Sequence, residues 1–152
     1  MFRTGLLAIA ITATLFTLSP ALAHDGAVGV IKERMKLMKF MGQNTKQIAP
    51  YAMGSLEMNL KAVEGAAINI SIAAKNAIAK FPEHSISKES EAKPNIWENW
   101  GEFKTLLEKL SEDAGVLAQM AKDGKDTDIG MQFGKMANNC KTCHTKFRQK
   151  KE

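Results

Sequence analysis

The most reactive side chains lie near the end of the chain, in the segment NNCKTCHTKFRQKKE. Cys140 and Cys143 are the only cysteines of the 152 residues, and His144 follows them directly. On an α-helix, residues three and four positions apart lie on one face. If this segment is helical, both thiols and the imidazole face the same way, inward, in line with the apolar stripe of the helix.

The order Cys-x-x-Cys-His is the attachment signature of c-type haem. The thiols of Cys140 and Cys143 can add to the two vinyl groups of one porphyrin, and His144 then supplies an axial nitrogen to the iron. A thioredoxin-like redox pair needs a βαβ setting, which is absent. A zinc site needs further ligands, and only His24 and His84 remain. A chance match is disfavoured by the helical setting and by the predicted export. The sequence therefore predicts one covalently bound haem c.

Residues 1–23 predict export. Arg3 is followed by an apolar run over residues 5–18 and by the small-x-small site at 21–23, the order found in secretory signals. The run is shorter than the roughly 20 apolar residues of a spanning helix, which disfavours a membrane anchor. No later segment is apolar enough to span. We expect cleavage before His24, one mature domain over residues 24–152, and a periplasmic location.

The charge balance gives no support for nucleic-acid binding. The formal net charge is +5, and removal of Arg3 with the signal leaves a mild excess of +4. The positive charge is concentrated at the C-terminus, in Lys141, Lys146, Arg148, Lys150 and Lys151. This C-terminal basic cluster is interpreted either as a solvated last turn or as a docking surface for an acidic redox partner.

Apolar residues recur three and four positions apart over four long segments of the chain. The predicted helices cover about 27–53, 59–80, 94–124 and 126–147. Residues 82–93 form the one linker, which is polar and has no periodicity. Four amphipathic helices with mostly short connections predict an all-α, antiparallel up-down-up-down four-helix bundle.

Individual residues mark the predicted helix ends. Pro50 should kink or end the first helix near its last turn, and Pro94 fits the first turn of the third. Gly124 marks the end of the third helix, and Asp126 or Thr127 can cap the fourth. The first helix is apolar on one side, and lysines fill the other side: Lys32, Lys36, Lys39 and Lys46.

The late position of the motif restricts the second axial ligand of the iron. Too few residues follow His144 for the chain to loop back, so the ligand must come from another helix. Methionines of the first helix are the candidates, namely Met35, Met38 and Met41. Spacing alone does not choose among them, and methionine stripes also serve as ordinary core.

The chain resembles the class II cytochromes c, to which cytochrome c′ belongs. The strongest element of the resemblance is CKTCHTKFR at the C-terminus. KPNIW at residues 93–97 is similar to the opening of the family's third helix, and RMKLMK at 34–39 is similar to its first-helix motif. The resemblance covers the whole mature chain, and it implies monomers or homodimers packed through the first two helices.

The resemblance also implies roles for single residues. Met38, four residues after Arg34, matches the family's distal position, where methionine binds the iron in the low-spin branch and an apolar residue leaves it five-coordinate in the high-spin branch. Arg34 matches an arginine that pairs with a haem propionate, and Arg148 matches a basic residue near the proximal imidazole. A solvated helix arginine and a surface arginine are the respective alternatives.

These features predict a periplasmic monohaem electron carrier rather than an enzyme, because no catalytic group beyond the metal is evident. The predicted site consists of the covalent attachments at Cys140 and Cys143, the proximal ligand His144 and the distal ligand Met38. The alternative is a protein that binds nitric oxide or carbon monoxide at an open iron, which applies if Met38 is unbound or easily displaced. A purely structural bundle with an unused motif is the third interpretation.

Overall fold

The structure is a computed structural model that describes residues 27–149. The predicted signal segment and cleavage site, together with Lys150 and Lys151 of the C-terminal basic cluster, lie outside the described residues. All regular structure over 27–149 is helical except for one isolated antiparallel bridge. In this part of the chain, no helix has the length and apolarity required to cross a membrane.

Four long helices and one short helix make up the fold. In chain order they are α1 (Gly29–Ala52), α2 (Leu60–Ile78), α3 (Asn95–Glu98), α4 (Trp100–Lys122) and α5 (Ile129–Phe147). Contacts of α1 with α2, α2 with α4, α4 with α5 and α5 with α1 close the long helices into a bundle. The predicted all-α four-helix bundle is confirmed.

Most helix ends lie where the sequence predicts them. Pro50 lies in the last turn of α1, which ends two residues later at Ala52. Gly124 follows the end of α4 with φ +73°, a conformation that glycine adopts without steric cost. The predicted cap of the fourth helix is wrong, because residues 126–128 form a 3₁₀ turn and the helix begins after Asp128, with no side-chain cap.

The predicted third helix is interrupted at Asn99. Its φ and ψ of −119° and 37° separate α3 from α4, and asparagine favours such breaks because its side chain bonds to nearby backbone. The Asn99 side chain donates to the carbonyl of Asn95 at 3.0 Å. Trp97 of α3 donates from its indole nitrogen to the carbonyl of Phe81 at 3.1 Å, which ties α3 to the end of the second helical segment.

The polar linker is attached to the end of α5. Ala92 and Arg148 form the antiparallel bridge. The backbone nitrogen of Lys93 donates to the carbonyl of Phe147 at 2.9 Å, and that of Gln149 donates to the carbonyl of Glu91 at 2.8 Å. We refer to residues 82–93 as the strap, because this segment fixes the end of α5 that carries the Cys-x-x-Cys-His motif.

The α2–α4 seam is the most closely packed part of the core. Small residues of α2 allow α4 to approach: Ala66, Ala67, Ala73, Ala74 and Ala77 are all at least 97% buried. The hydroxyl of Ser71 donates to the carbonyl of Ser111 at 2.9 Å, and the hydroxyl of Ser111 donates back to the carbonyl of Ser71 at 3.0 Å. These small side chains and reciprocal hydrogen bonds hold α2 and α4 in close contact.

Candidate functional site

A cavity of about 720 Å³ opens between α1, the end of α5 and the strap. This volume lies within the range of cofactor and small-molecule sites, about 300–1,000 Å³. Its apolar walls include Ile31, Met35, Met38, Phe81, Ile96, Phe103 and Phe147. The three phenylalanines also contact one another, with ring centroids 4.6 Å apart for Phe81 and Phe103 and 5.4 Å apart for Phe103 and Phe147.

The motif on α5 lies at this cavity. Cys143 and His144 line its wall. Cys140, one turn earlier, is partly buried against the hydrophobic core and is not among the lining residues. Both thiols are free. The expectation that all three side chains share one surface holds at the cavity wall only for Cys143 and His144. Cys140 lies farther along the core stripe of α5.

Burial sets the protonation of these groups. It raises the pKa of Cys140, and together with the neighbouring Cys140 it raises the pKa of Cys143 to about 11. Both thiols are therefore protonated at neutral pH. Partial desolvation and the positive charge of Arg148 lower the pKa of His144, whereas Glu91 opposes that shift. His144 is neutral at pH 7, and its imidazole can act as a metal ligand.

Two of the three candidate methionines line the cavity. Met35 and Met38 lie on its α1 wall, whereas Met41 is 5% exposed and belongs to the core cluster. The structure thus separates methionines that spacing alone leaves equivalent. Met38 is half-buried and packs against the edge of the core. Met35 is half-buried as well, so exposure does not choose between these two.

Arg34 is a buried cation in the cavity wall, only 4% exposed. Its Nε donates to the carbonyl of Lys80 at 2.5 Å. Its Nη2 donates to the carbonyl of Ser85 at 2.8 Å and also to the Ser85 hydroxyl. The guanidinium lies 4.4 Å from the ring centroid of Phe81. Nη1 is buried without a partner, and no carboxylate of residues 27–149 is within ion-pair distance. Burial lowers the pKa of Arg34. An anionic group in the cavity would supply the missing acceptor.

Arg148 lies at the cavity beside the end of α5, as expected for a residue one turn after His144. Its Nε forms an ion pair with the Glu91 carboxylate at 2.5 Å, and its backbone nitrogen donates to the carbonyl of His144 at 3.1 Å. Glu91 is the functional residue that sequence reasoning missed. It lies in an aperiodic linker, and no local pattern connects it to Arg148.

The described part of the C-terminal basic cluster is largely paired within the chain. Lys146 bonds to Glu102, and Arg148 bonds to Glu91. By contrast, Lys32, Lys36 and Lys39 of α1 are exposed and line the cavity. Sequence reasoning assigned these three lysines only to the polar side of the first helix.

The cavity fits the predicted haem. Its apolar walls suit a flat macrocycle, and an imidazole and thioethers come from two different helices. The unpartnered Nη1 of Arg34 suits a propionate. Among residues 27–149, no group of three or more His, Cys, Asp or Glu side chains could hold a separate metal ion.

Comparisons with known proteins agree with these observations. A family model described as Cytochrome C′ matches residues 29–148. Cytochrome c′ of Rhodopseudomonas palustris is 32% identical over 123 residues, which cover 80% of this chain and 83% of the relative. Cytochrome c-556 of Agrobacterium fabrum is 34% identical over 126 residues, which cover 82% and 84%.

The fold is also similar to solved structures. The structure of cytochrome c′ from Rhodopseudomonas palustris matches with a TM-score of 0.74 and 31% sequence identity, and the match covers 83% of this chain and 100% of that chain. The match of the family model over residues 29–148 includes α1, which carries the methionines, and α5, which carries the Cys-x-x-Cys-His motif.

Proposed function

Because the chain belongs to the cytochrome c′ family and is therefore a monohaem c-type cytochrome, we propose that it is an electron carrier with His144 and Met38 as axial ligands of the iron. The observation that supports this proposal is that Met38 of α1 and His144 of α5 line one cavity from two different helices. Family membership alone is equally compatible with a five-coordinate iron. What the proposal adds is that Met38 binds the iron.

Other residues of the cavity have supporting roles in this proposal. Cys140 and Cys143 hold the haem through thioether bonds, which prevents its loss outside the cytoplasm. Arg34 uses its free Nη1 to bind one propionate, which would satisfy an otherwise unpaired buried donor. The phenylalanines and Ile96 exclude water, and a dry environment lowers the dielectric response around the iron.

Met38 explains why this site would transfer electrons rather than react with ligands. When bound, the haem supplies a one-electron couple at its iron. A thioether is a soft ligand that favours the ferrous state and so raises the reduction potential. A side chain that occupies the sixth position in both oxidation states keeps the structural change on electron transfer small. No other residue of the wall is needed for chemistry, so we propose no enzymatic role.

The signal-like segment over residues 1–23 supports a periplasmic location. A mature protein that begins at His24 would consist of the single cytochrome domain over residues 24–152. The covalent attachment through Cys140 and Cys143 fits such a location, because a haem released outside the cytoplasm would be lost from the protein.

Gas binding is the second candidate function. Met38 is half-buried on the wall of a large cavity, whereas Met41 is 5% exposed in the core. The Met38 side chain therefore has room to leave the iron, or never to bind it. In that case nitric oxide or carbon monoxide would have access to the position opposite His144.

The substitution Met38→Leu tests the proposal. The swap roughly conserves volume and should cost less than about 1.5 kcal/mol in packing. We expect a folded holoprotein whose absorption spectrum changes from low-spin to five-coordinate high-spin, whose reduced form binds carbon monoxide, and whose reduction potential falls.

Two matched controls accompany this test. Met35→Leu changes a methionine on the same cavity wall, and Met41→Leu changes a methionine in the core. Both should leave the spectrum almost unchanged. The ligand assignment is wrong if Met38→Leu stays low-spin, or if Met35→Leu causes the switch. A high-spin spectrum of the unmodified protein would replace electron transfer by gas binding.

A further inference from the structure

A row of lysines on α1 lies at the edge of the cavity. Lys32, Lys36 and Lys39 are spaced by four and three residues, so they share one face of the helix. All three are exposed, and all three line the cavity that also contains Met38 and His144. We call these three residues the lysine row.

No lysine of the row forms an ion pair with a carboxylate of residues 27–149, although the charge of Lys36 helps to lower the pKa of Glu33. Most other ion pairs there link side chains of different elements, as in Lys80–Glu33 at 2.6 Å and Lys135–Asp113 at 2.8 Å. Glu33 is the only acidic residue of α1, and its side chain is already bound to Lys80. Like charges at these spacings destabilise a helix, so the row carries a local cost that no ion pair to a carboxylate of residues 27–149 offsets.

The acidic residues on the other side of the cavity are also engaged. Glu91 pairs with Arg148 at 2.5 Å, and Glu89 accepts from Ser87 at 2.6 Å and lies 3.9 Å from Lys88. Among residues 27–149, the lysines that line the cavity without an ion pair therefore belong to α1, whereas Lys146 and Arg148 of the C-terminal basic cluster are paired.

Two exposed apolar residues lie beside the lysine row. Val28, just before α1, is 76% exposed, and Phe40, next to Lys39, is 42% exposed. Protein docking surfaces combine a few apolar or aromatic anchors with a charged rim. The lysine row on α1, with one apolar residue on the helix and one just before it, forms such a combination at the edge of the cavity.

We propose that the lysine row, with Val28 and Phe40, is the docking surface for an acidic redox protein. This inference rests on the proposed electron-carrier function and names the partner class and the surface it uses. Carboxylates of the partner would pair with Lys32, Lys36 and Lys39 and bring its redox centre to the cavity. One electron then passes between the two proteins: the reduced partner is oxidised by one electron, the ferric iron of this chain is reduced to ferrous, and no bond forms or breaks.

The test uses the full holoprotein and two triple variants of equal net charge. One replaces the row, with Lys32→Gln, Lys36→Gln and Lys39→Gln. The control replaces three exposed lysines of α2 and α4 that do not line the cavity, with Lys61→Gln, Lys75→Gln and Lys109→Gln. The probe is a reduced plant-type [2Fe–2S] ferredoxin, an acidic protein whose low reduction potential provides a large driving force.

Stopped-flow kinetics would measure the second-order rate constant of reduction at increasing sodium chloride. Salt screens attraction between charged surfaces, so the rate of the unmodified protein should fall about tenfold or more between low and high salt. At low salt the row variant should be about tenfold slower and nearly independent of salt, and the control should stay within about twofold of the unmodified protein. Carbodiimide cross-linking should join ferredoxin carboxylates to Lys32, Lys36 or Lys39 with loss of water.

Several results would overturn the proposal. Equal losses in both triple variants would mean that net charge alone governs the rate, and a larger loss in Lys141→Gln/Lys146→Gln would assign docking to the C-terminal basic cluster. Row-dependent binding to phosphatidylglycerol vesicles with unchanged kinetics would make the row a membrane contact. A row-dependent change in sedimentation velocity with unchanged kinetics would make it a contact between two copies of this chain.

The spectrum separates failure of this inference from failure of the proposed function. A high-spin unmodified protein contradicts the His144–Met38 electron carrier, whatever the kinetics show. A low-spin protein with equal rates in all variants contradicts only the docking surface.

Discussion

The α2–α4 and α1–α5 seams of the bundle are built in opposite ways. Along α2–α4, alanines and the reciprocal Ser71–Ser111 hydrogen bonds bring the helices together, and a groove of about 260 Å³ lies at the surface. Along α1–α5, the helices have far fewer contacts, and the cavity of about 720 Å³ opens at the end that carries the motif. The bundle thus forms its cofactor site by leaving one seam unfilled while the other seam supplies the core.

The α1–α5 seam is itself closed at one end. A Cβ atom on Gly130, in the first turn of α5, would lie 2.9 Å from the carbonyl oxygen of Ala52 at the end of α1. At the other end, the strap and the phenylalanines of the cavity wall surround the space between Met38 and His144. Because Gly130 has no side chain, α5 can approach the end of α1 closely. At the other end, the side chains around the cavity keep the two helices apart.

The largest expected effect comes from removing the covalent attachment with Cys140→Ser and Cys143→Ser. Loss of a tightly bound group should destabilise the fold by about 4 kcal/mol or more. The loss should be concentrated in the open seam, because the α2–α4 core does not depend on the haem. Amide hydrogen exchange should accelerate most in the first turns of α1 and the last turns of α5, with smaller changes in α2 and α4.

A uniform loss of protection in all four long helices would contradict the distinction between the two seams. The intact mass of the variant with both cysteines replaced should show no covalent haem. Cys140→Ser alone provides the matched control, since it should retain one thioether bond and a smaller loss of protection.

A smaller effect is expected at the closed end of the α1–α5 seam. Gly130→Ala must displace the backbone at Ala52, and such overpacking costs about 1–3 kcal/mol. Gly134→Ala is the matched control one turn later, where nothing lies within 4 Å of the added Cβ. It should stabilise α5 by about 0.5–1 kcal/mol, because alanine is the better helix former. Urea denaturation measures both changes, and equal effects would show that the helices are not in close contact at Gly130.

The smallest expected effect concerns a polar contact that joins α4 to α5. Asp113 of α4 is 7% exposed, accepts from Asn139 of α5 at 2.7 Å and pairs with Lys135 at 2.8 Å. Burial alone would raise its pKa, but the hydrogen bonds from Lys135 and Asn139 outweigh burial and lower the pKa. Its contribution to stability is therefore present above the unfolded pKa of about 3.9 and is lost as pH falls through the lower folded pKa.

Asp113→Asn should accordingly cost about 1 kcal/mol at pH 7, and the cost should vanish in strong acid. The measurement is the free energy of unfolding as a function of pH. Asp126→Asn, an exposed carboxylate with no described hydrogen bond, removes the same charge as a control. A cost for Asp113→Asn that is independent of pH would mean that the carboxylate charge has no role in joining α4 to α5.

Local periodicity predicts much of this architecture. The four helices follow from apolar residues three and four apart, and the same spacing places Met35 and Met38 of α1 together on the cavity wall. The motif itself marks Cys143 and His144, which line the cavity from α5. These features depend on residues within a few turns of one another, and such short-range patterns are visible in the sequence.

Features that depend on distant pairs are not predictable in this way. Glu91 meets Arg148 across 57 positions of chain, and Lys146 meets Glu102 across 44. No local signal connects such residues, so the structured strap and the neutralised part of the C-terminal basic cluster emerge only from the fold. The break at Asn99 is not predictable for a different reason, because the apolar stripe of the predicted third helix continues through it.

The absorption spectrum of the matured, unmodified protein in both oxidation states tests the central claim most directly. If His144 and Met38 bind the iron from opposite sides of the open seam, both states should be low-spin. The ferric protein should then show a sulfur-to-iron charge-transfer band, and the ferrous protein should not take up carbon monoxide readily. A high-spin, five-coordinate spectrum with rapid carbon monoxide binding would contradict the claim.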